Sequence, residues 1–227
     1  MKTDWYLTRG SGAMVLILLT VTIVLGIAEV GRLASRRWPR FAVDGLHRTS
    51  SLLALIFLTV HILTAVLDSF APIALADAFV PFVGAYRPVW LGLGAVACDL
   101  LLAVTLTSVV RMRLGHRAWR AVHWLAYGSW PIAVVHSMGT GSDVHQGWLA
   151  VVYVTCIGAV LLAVFARAAI GWPTHAARRA VAVSTASAFV IGVVVWLPSG
   201  PLSRGWARRS GTPRQLLAPT RRPAGRT

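Results

Sequence analysis

Four histidines in two apolar segments are the residues of this sequence best suited to carry chemistry. They form two pairs, His47 with His61 and His123 with His136, separated by 14 and 13 positions. Neutral imidazole is a common ligand of haem iron, and iron ligated on both faces has no open position, which suits electron transfer. A helix rises about 1.5 Å per residue, so each pair spans about 20 Å. Two such helices running in the same direction offer ligands at two levels, and one haem can bridge each level.

Three other roles are open to these four histidines, and each would need different neighbouring groups. A buried histidine can be an ordinary core residue whose hydrogen bonds are satisfied, although ionisable residues in membrane spans are rare and usually functional. One zinc ion cannot be shared by ligands about 20 Å apart. A haem-free transporter or channel that uses intramembrane histidines for proton or metal binding needs them at one depth along a polar path. The apolar segments hold few polar groups beyond Ser, Thr and Asp99.

Six long apolar stretches are available to position the histidines. Of the 227 residues, 56% are hydrophobic and 13% are charged, whereas about 25% are charged in an ordinary soluble domain. A spanning helix needs roughly 20 apolar residues, and lipid excludes open sheets because their backbone groups would stay unpaired. The sequence therefore predicts an all-α polytopic membrane helix bundle with about six transmembrane helices. The predicted spans are Gly12–Val30, Thr49–Leu67, Pro88–Val110, Ala121–Met138, Gly147–Ala166 and Ala180–Leu197.

The angle around the helix axis between the two histidines differs between the two pairs. Fourteen residues at about 100° each return to within about 40° of the starting face, so His47 and His61 share one stripe. Thirteen residues leave His136 about 140° away from His123 on an ideal helix. Pro131 lies between these two residues, and proline removes a backbone hydrogen bond and kinks a helix. The sequence therefore predicts a distortion at Pro131 that re-aims His136.

The arginines predict the orientation of the chain. The net charge is +15, but the arginines lie in short connections between apolar spans, and not on one face of a water-accessible body as nucleic-acid binding requires. Connections rich in arginine stay in the cytoplasm, so the N-terminus is predicted to lie outside. The intervening connections carry one arginine, against eleven after the first, third and fifth spans. Those eleven are Arg32, Arg36, Arg37, Arg40, Arg111, Arg113, Arg117, Arg120, Arg167, Arg178 and Arg179.

The chain divides into four predicted parts. Residues 1–11 form an outer N-terminal segment, 12–170 the histidine-bearing transmembrane core, 171–197 an additional transmembrane helix, and 198–227 a basic tail. The tail is rich in Arg, Pro, Gly and Ala and is predicted to be disordered. A sixth crossing would place this tail outside, but its seven arginines are typical of a segment that stays in the cytoplasm. Either the tail is translocated despite its charge, or the sixth segment does not fully cross; Trp196, placed as an interfacial anchor, favours six crossings.

The segments around the histidines resemble a known family. Residues 45–61 (GLHR to VH) and 119–143 (WRAVHW to HSMGTGSD) are similar to the bacterial branch of the ferric reductase-like transmembrane domain. Ferric reductases, NADPH oxidases and the haem subunit of the methionine sulfoxide reductase system share this domain, and the resemblance covers about residues 10–170. It implies two haem b groups in a multi-pass protein of the bacterial plasma membrane. The implied axial ligands are His47 and His123 for the cytoplasmic haem and His61 and His136 for the outer haem.

The same resemblance implies partners. Ferric reductases and NADPH oxidases continue into a flavin and nicotinamide domain, but this sequence has no G-x-G-x-x-G after a strand. The expected role is therefore the membrane cytochrome subunit of an oxidoreductase system, with a separate flavoprotein or a membrane quinol as electron donor. The polar turn at 139–145 next to His136 is a candidate docking surface for an extracytoplasmic redox partner. His145 in that turn is either an exposed ligand or an ordinary loop residue.

Each of three charged residues near the predicted haem sites has two possible roles. Arg48 and Arg120 lie at the cytoplasmic ends of the histidine-bearing spans and can bind haem propionates, because a guanidinium matches a carboxylate in two-point geometry. They can equally be ordinary cytoplasmic arginines of a membrane protein. Asp99 in the third span is either an acceptor for a histidine ring N–H or a protonated packing residue.

Overall fold

A computed structural model describes residues 2–30, 39–141, 146–170 and 172–217, and helices and turns make up this part of the chain. No strand occurs in the described ranges, and one 3₁₀ turn lies at Leu75–Ala78. The helices are α1 (Lys2–Val30), α2 (Arg40–Leu67), α3 (Pro88–Val109), α4 (Arg111–Leu114), α5 (His116–His123), α6 (Leu125–Thr140), α7 (Gly147–Ala169), α8 (Ala176–Trp196), α9 (Trp206–Arg209) and α10 (Arg214–Leu217).

The structure confirms the predicted all-α polytopic bundle. Five helices in the described ranges, α1, α2, α3, α7 and α8, are long and apolar enough to cross a membrane. The remaining predicted span, Ala121–Met138, is the fourth along the chain, and most of it corresponds to α6, which has 16 residues. Because 16 residues rise only about 24 Å, α6 is shorter than the roughly 30 Å of a hydrocarbon core.

Helix α1 lies at the centre of the bundle because it is apolar around most of its circumference. It packs against α2, α6 and α7, while α3 packs against α6. The indole N–H of Trp130 donates to the Thr20 hydroxyl at 2.9 Å and joins α6 to α1. An interhelical hydrogen bond of this kind contributes about 0.6–2 kcal/mol in a membrane. The buried core residues include Leu16, Leu19, Ile23, Ile27, Trp130, Val134, Met138, Leu149, Tyr153 and Cys156.

One end of the bundle is marked by the residues around a large cavity. Trp5 of α1, Asp68 after α2, Tyr86 before α3, Gly141 after α6 and Trp148 of α7 all line it. We call this the outer end and the opposite end the inner end, following the orientation predicted from the arginines.

The helix that carries His123 and His136 is interrupted between them, and the distortion at Pro131 stays a prediction. Helix α6 continues through Pro131, and the break lies at Trp124, between α5 and α6. There the N–H of Tyr127 bonds the carbonyl of Trp124 at 3.1 Å, a tighter turn than an α-helix makes. The reason is composition, because α5 is strongly amphipathic and arginine-bearing, whereas α6 is apolar. Proline in the first half of α6 costs one backbone hydrogen bond without ending the helix.

Both ends of the described chain contain helices. Helix α1 begins at Lys2, so the described part of the predicted N-terminal segment 1–11 is helical and continuous with the first span. Residues 198–217, predicted to be disordered, form turns and the short helices α9 and α10. They follow α8 at the outer end, where the N–H of Arg87 bonds the carbonyl of Gly211 at 3.1 Å. Residues 218–227 of the predicted tail lie outside the described ranges.

Candidate functional site

The two histidines of α2 both point at α1. His61 places ring atom Nδ1 2.8 Å from the carbonyl oxygen of Thr8, and His47 places Nδ1 3.0 Å from that of Thr22. A carbonyl oxygen only accepts, so each Nδ1 carries the proton and donates. The other ring nitrogen, Nε2, then keeps its lone pair and is available to a metal.

His136 on α6 repeats this arrangement with α3. Its Nδ1 lies 2.8 Å from the carbonyl oxygen of Trp90, near the start of α3. Metal-ligating histidines usually donate their second ring N–H in this way, which fixes the tautomer and the orientation of the ring. Three of the four histidines therefore make the hydrogen bond that is typical of metal-ligating histidines. In each case the ring Nδ1–H donates to a backbone carbonyl of a neighbouring helix.

A glycine lies four residues after each of the three carbonyls. These glycines are Gly12, Gly26 and Gly94, and each faces the histidine ring that bonds its helix. A Cβ at Gly12 would lie 2.9 Å from Cε1 of His61, whereas a Cβ at Gly26 would lie 3.5 Å from Cε1 of His47. A Cβ at Gly94 would overlap the ring of His136. The absent side chains let the imidazoles reach the backbone of the facing helix.

The inner pair brings two imidazole rings close together. The ring centroids of His47 and His123 are 6.3 Å apart, and the ring planes are tilted by 49°. Two imidazoles bound on opposite sides of one ion at about 2 Å would have centroids roughly 6 Å apart. The separation therefore fits a single metal between the two rings.

His123 is held differently from the other three histidines. Its Nδ1 is buried and has no hydrogen-bond partner among the described residues. The ring instead lies against that of Trp119, with centroids 4.9 Å apart and planes tilted by 34°. Trp119 is itself fixed by a hydrogen bond of 3.2 Å from its indole N–H to the hydroxyl of Ser108 on α3.

The four histidines line two separate cavities. His61 and His136 line a cavity of about 280 Å³ at the outer end, and His47 and His123 line one of about 90 Å³ at the inner end. Both are bounded mainly by apolar side chains of the core helices. The four histidines thus occupy two levels, whereas a haem-free transporter or channel would need them at one depth.

Charged groups are distributed unequally around the two cavities. Within the described part of the chain, Arg9 is the only Lys or Arg that lines the outer cavity, and none lines the inner one. The Arg9 guanidinium lies over the ring of Trp5, 3.7 Å from its centroid. Two acids also line the outer cavity, Asp68 and Asp77. Asp77 accepts a hydrogen bond of 2.9 Å from the N–H of Ala74 and so caps the 3₁₀ turn.

The secondary candidates from the sequence lie away from the cavities. Arg48 and Arg120 are exposed, and neither lines a cavity. Asp99 is half-buried on α3 and also lines neither. Of the predicted docking turn at 139–145, residues 142–145, including His145, lie outside the described ranges.

Sequence reasoning missed the groups that orient the rings. It proposed Asp99 as an acceptor, whereas the acceptors are backbone carbonyls, which no side-chain pattern reveals. One signal was present, because Gly12 and Gly26 are 14 positions apart, the same spacing as His47 and His61. Two antiparallel helices with equal spacings place both glycines opposite both histidines. Arg9 was also missed, although it precedes Gly12 by three residues and shares its helical face.

Comparison with known proteins identifies one match. A family model described as "Ferric reductase like transmembrane component" matches residues 11–134. This range includes His47, His61 and His123 and ends two residues before His136. No curated protein and no solved structure matches the chain.

Proposed function

The chain belongs to the ferric reductase like transmembrane component family, and on that premise we propose that it carries electrons across a membrane through two b-type haems. The family itself indicates transmembrane electron transfer. The number of haems and their ligands are our proposal. It rests mainly on one observation, that three of the four histidines donate Nδ1–H to carbonyls of neighbouring helices and keep Nε2 free.

The donor set of each site fits a haem. Within the described residues, no group of three or more His, Cys, Asp or Glu side chains could hold a metal ion. Each cavity instead has two imidazoles. Two imidazole nitrogens would complete the coordination of a haem with no open position, since the porphyrin would supply the other four ligands. When bound, haem iron supplies a reversible one-electron couple.

The proposed ligand pairs are His47 with His123 at the inner level and His61 with His136 at the outer level. Apolar side chains from α1, α3 and α6 line both sites, and an apolar lining would limit the access of solvent to a redox couple held there. Arg9 is the proposed partner for a propionate at the outer level. It is better placed for that role than Arg48 or Arg120, which stay candidates at the inner level only.

We propose further that this protein is the membrane subunit of an oxidoreductase system, in the plasma membrane of a bacterium. A separate flavoprotein or a membrane quinol would be its electron donor, and an extracytoplasmic redox partner would dock near residues 139–145. This part of the proposal is supported by the sequence resemblance and by the all-helical character of the described residues.

A difference spectrum tests the central proposal. The purified protein, expressed with ample haem, should show b-type bands in a reduced-minus-oxidised spectrum and two haems per chain. A variant with His47→Ala and His61→Ala together is the matched control, and it should bind no haem with two axial nitrogens. Absence of b-type absorption from the wild-type protein would overturn the proposal.

A further inference from the structure

The chain that follows α8 folds back over the outer ends of α3 and α6. We define the C-terminal clamp as residues 196–212. Within it, the N–H of Thr212 bonds the carbonyl of Ala207 at 3.1 Å, and the guanidinium of Arg209 donates to the carbonyl of Ser199 at 3.0 Å. These bonds close the clamp on itself. The family match ends at residue 134, so the whole clamp lies beyond it.

Three tryptophans join the clamp to α3. The ring of Trp90 contacts two rings of the clamp, and its centroid lies 5.1 Å from that of Trp196 and 5.1 Å from that of Trp206. The two clamp rings also meet each other edge to face, 5.9 Å apart. Trp90 is the residue whose carbonyl accepts the hydrogen bond from His136. Holding its side chain therefore holds the acceptor of the outer ligand.

The clamp also binds the end of α6, one turn beyond His136. The indole N–H of Trp206 donates to the carbonyl of Gly139 at 3.1 Å. The ring of Trp90 packs against Gly139 so closely that any Cβ there would overlap it. Carbonyls in the last turn of a helix have no partner within the helix. The clamp therefore satisfies one of these carbonyls and holds α6 against α3.

Arg87 completes the link between the clamp and α6. Its guanidinium donates to the carbonyls of Gly139 at 3.2 Å and Thr140 at 2.8 Å, and its Nε donates to the hydroxyl of Thr212 at 3.0 Å. Arg87 is only 4% exposed, and this desolvation lowers the pKa of its guanidinium. Arginine starts high enough to stay charged at neutral pH, so the positive charge lies at the C-terminal end of α6, where it is favourable.

We propose that the C-terminal clamp is a positioning device for His136, the outer haem ligand. The clamp holds Trp90 of α3, whose carbonyl accepts the ring N–H of His136. It also holds α6, the helix that carries His136. Together these contacts set the direction in which Nε2 of His136 points. This inference rests on the proposed haem function, because it assigns a role around one of the proposed ligands. Trp90, Trp206 and Arg87 act through His136 and are positioning residues.

The test compares haem retention in Trp206→Ala, Trp206→Phe and the wild-type full-length protein. Haem transfer to excess apomyoglobin is followed optically, and the low-spin EPR signals of the two haems are recorded. A His61→Ala reference identifies which signal is the outer haem. Removing a group that supports a metal ligand typically weakens binding about 10–100-fold. We expect the outer haem of Trp206→Ala to transfer at least about tenfold faster with an altered EPR signal, while the inner haem is unchanged.

The variants separate positioning from general stability. Trp206→Phe keeps the ring packing but loses the hydrogen bond to Gly139, so its effect should be smaller and confined to the outer haem. Phe79→Ala, which removes an aromatic that is 45% exposed at the same end, should match the wild type. Equal loss of both haems in both Trp206 variants would overturn the inference, as would an unchanged outer haem in Trp206→Ala. A wild-type protein without haem would refute the proposed function instead.

Discussion

His61 packs its imidazole directly against Gly12, and a Cβ on that glycine would lie 2.9 Å from ring atom Cε1. The same ring bonds the carbonyl of Thr8, one turn earlier on α1. Both the contact and the hydrogen bond are possible because Gly12 has no side chain. The face of α1 that α2 approaches is therefore open to the imidazole. His47 and Gly26 repeat the contact at the inner level with more space.

The first prediction concerns the two glycines of α1. Gly12→Ala should displace His61, since 2.9 Å is shorter than real Cβ contacts allow, and overpacking a tight site costs about 1–3 kcal/mol. We expect haem content to fall towards one per chain, with the outer haem lost. Gly26→Ala should be tolerated, because its Cβ would meet His47 at an ordinary 3.5 Å. Haem per chain and thermal stability in detergent measure both effects.

Gly10→Ala is the control for this pair, because a Cβ there meets nothing within 4 Å. It lies on the same helix and changes the backbone propensity by the same amount. Equal haem content in Gly12→Ala and Gly10→Ala would show that the close approach of His61 does not control the outer site.

The second prediction separates the two levels. His61→Ala should remove the outer haem and leave the inner one, and His123→Ala should do the reverse. Each variant loses one of two axial nitrogens, and the carbonyls and glycines of the other level are unchanged. Haem per chain should fall from two to one in each. Retention of both haems in His61→Ala, or loss of the same haem in both variants, contradicts the assigned pairs.

The third prediction follows from the different support of His123. Its ring has a tilted aromatic contact with Trp119 and no hydrogen bond at Nδ1 within the described residues. Trp119→Ala should therefore release the inner haem faster, by about tenfold, whereas Trp119→Phe keeps an aromatic face and should retain it. Transfer of haem to apomyoglobin gives the two rates. Trp172→Ala, a control at an exposed tryptophan (61%), should behave as wild type.

The fourth prediction concerns charge at the outer cavity. Among the described residues, Arg9 is the one Lys or Arg that lines it. Reduction adds a negative charge to a haem, so a nearby positive charge would stabilise the reduced state. Arg9→Gln should lower the midpoint potential of the outer haem, by on the order of tens of millivolts, and Arg9→Lys should restore most of it. A redox titration followed optically measures the shift. Arg113→Gln, at an exposed residue of the inner end, should leave this potential unchanged; an equal shift there would contradict a local role for Arg9.

The sequence determined the fold class of the protein and singled out the four histidines that are proposed to carry its chemistry. Long uncharged stretches allow only helices in lipid, because backbone groups must pair within each segment. Two histidine pairs with spacings of 14 and 13 identify two levels, because the rise of a helix is constant. The positions of His47 and His61 on one face follow from the same geometry.

The tertiary structure alone decided how the rings are held. The acceptors for His47, His61 and His136 are backbone carbonyls of other helices, and every residue has such a carbonyl, so only packing selects which one is reached. The docking of residues 198–212 depends on neighbouring helices in the same way. Local sequence encodes periodicity and polarity, whereas contacts between segments distant in the chain depend on how the whole bundle packs.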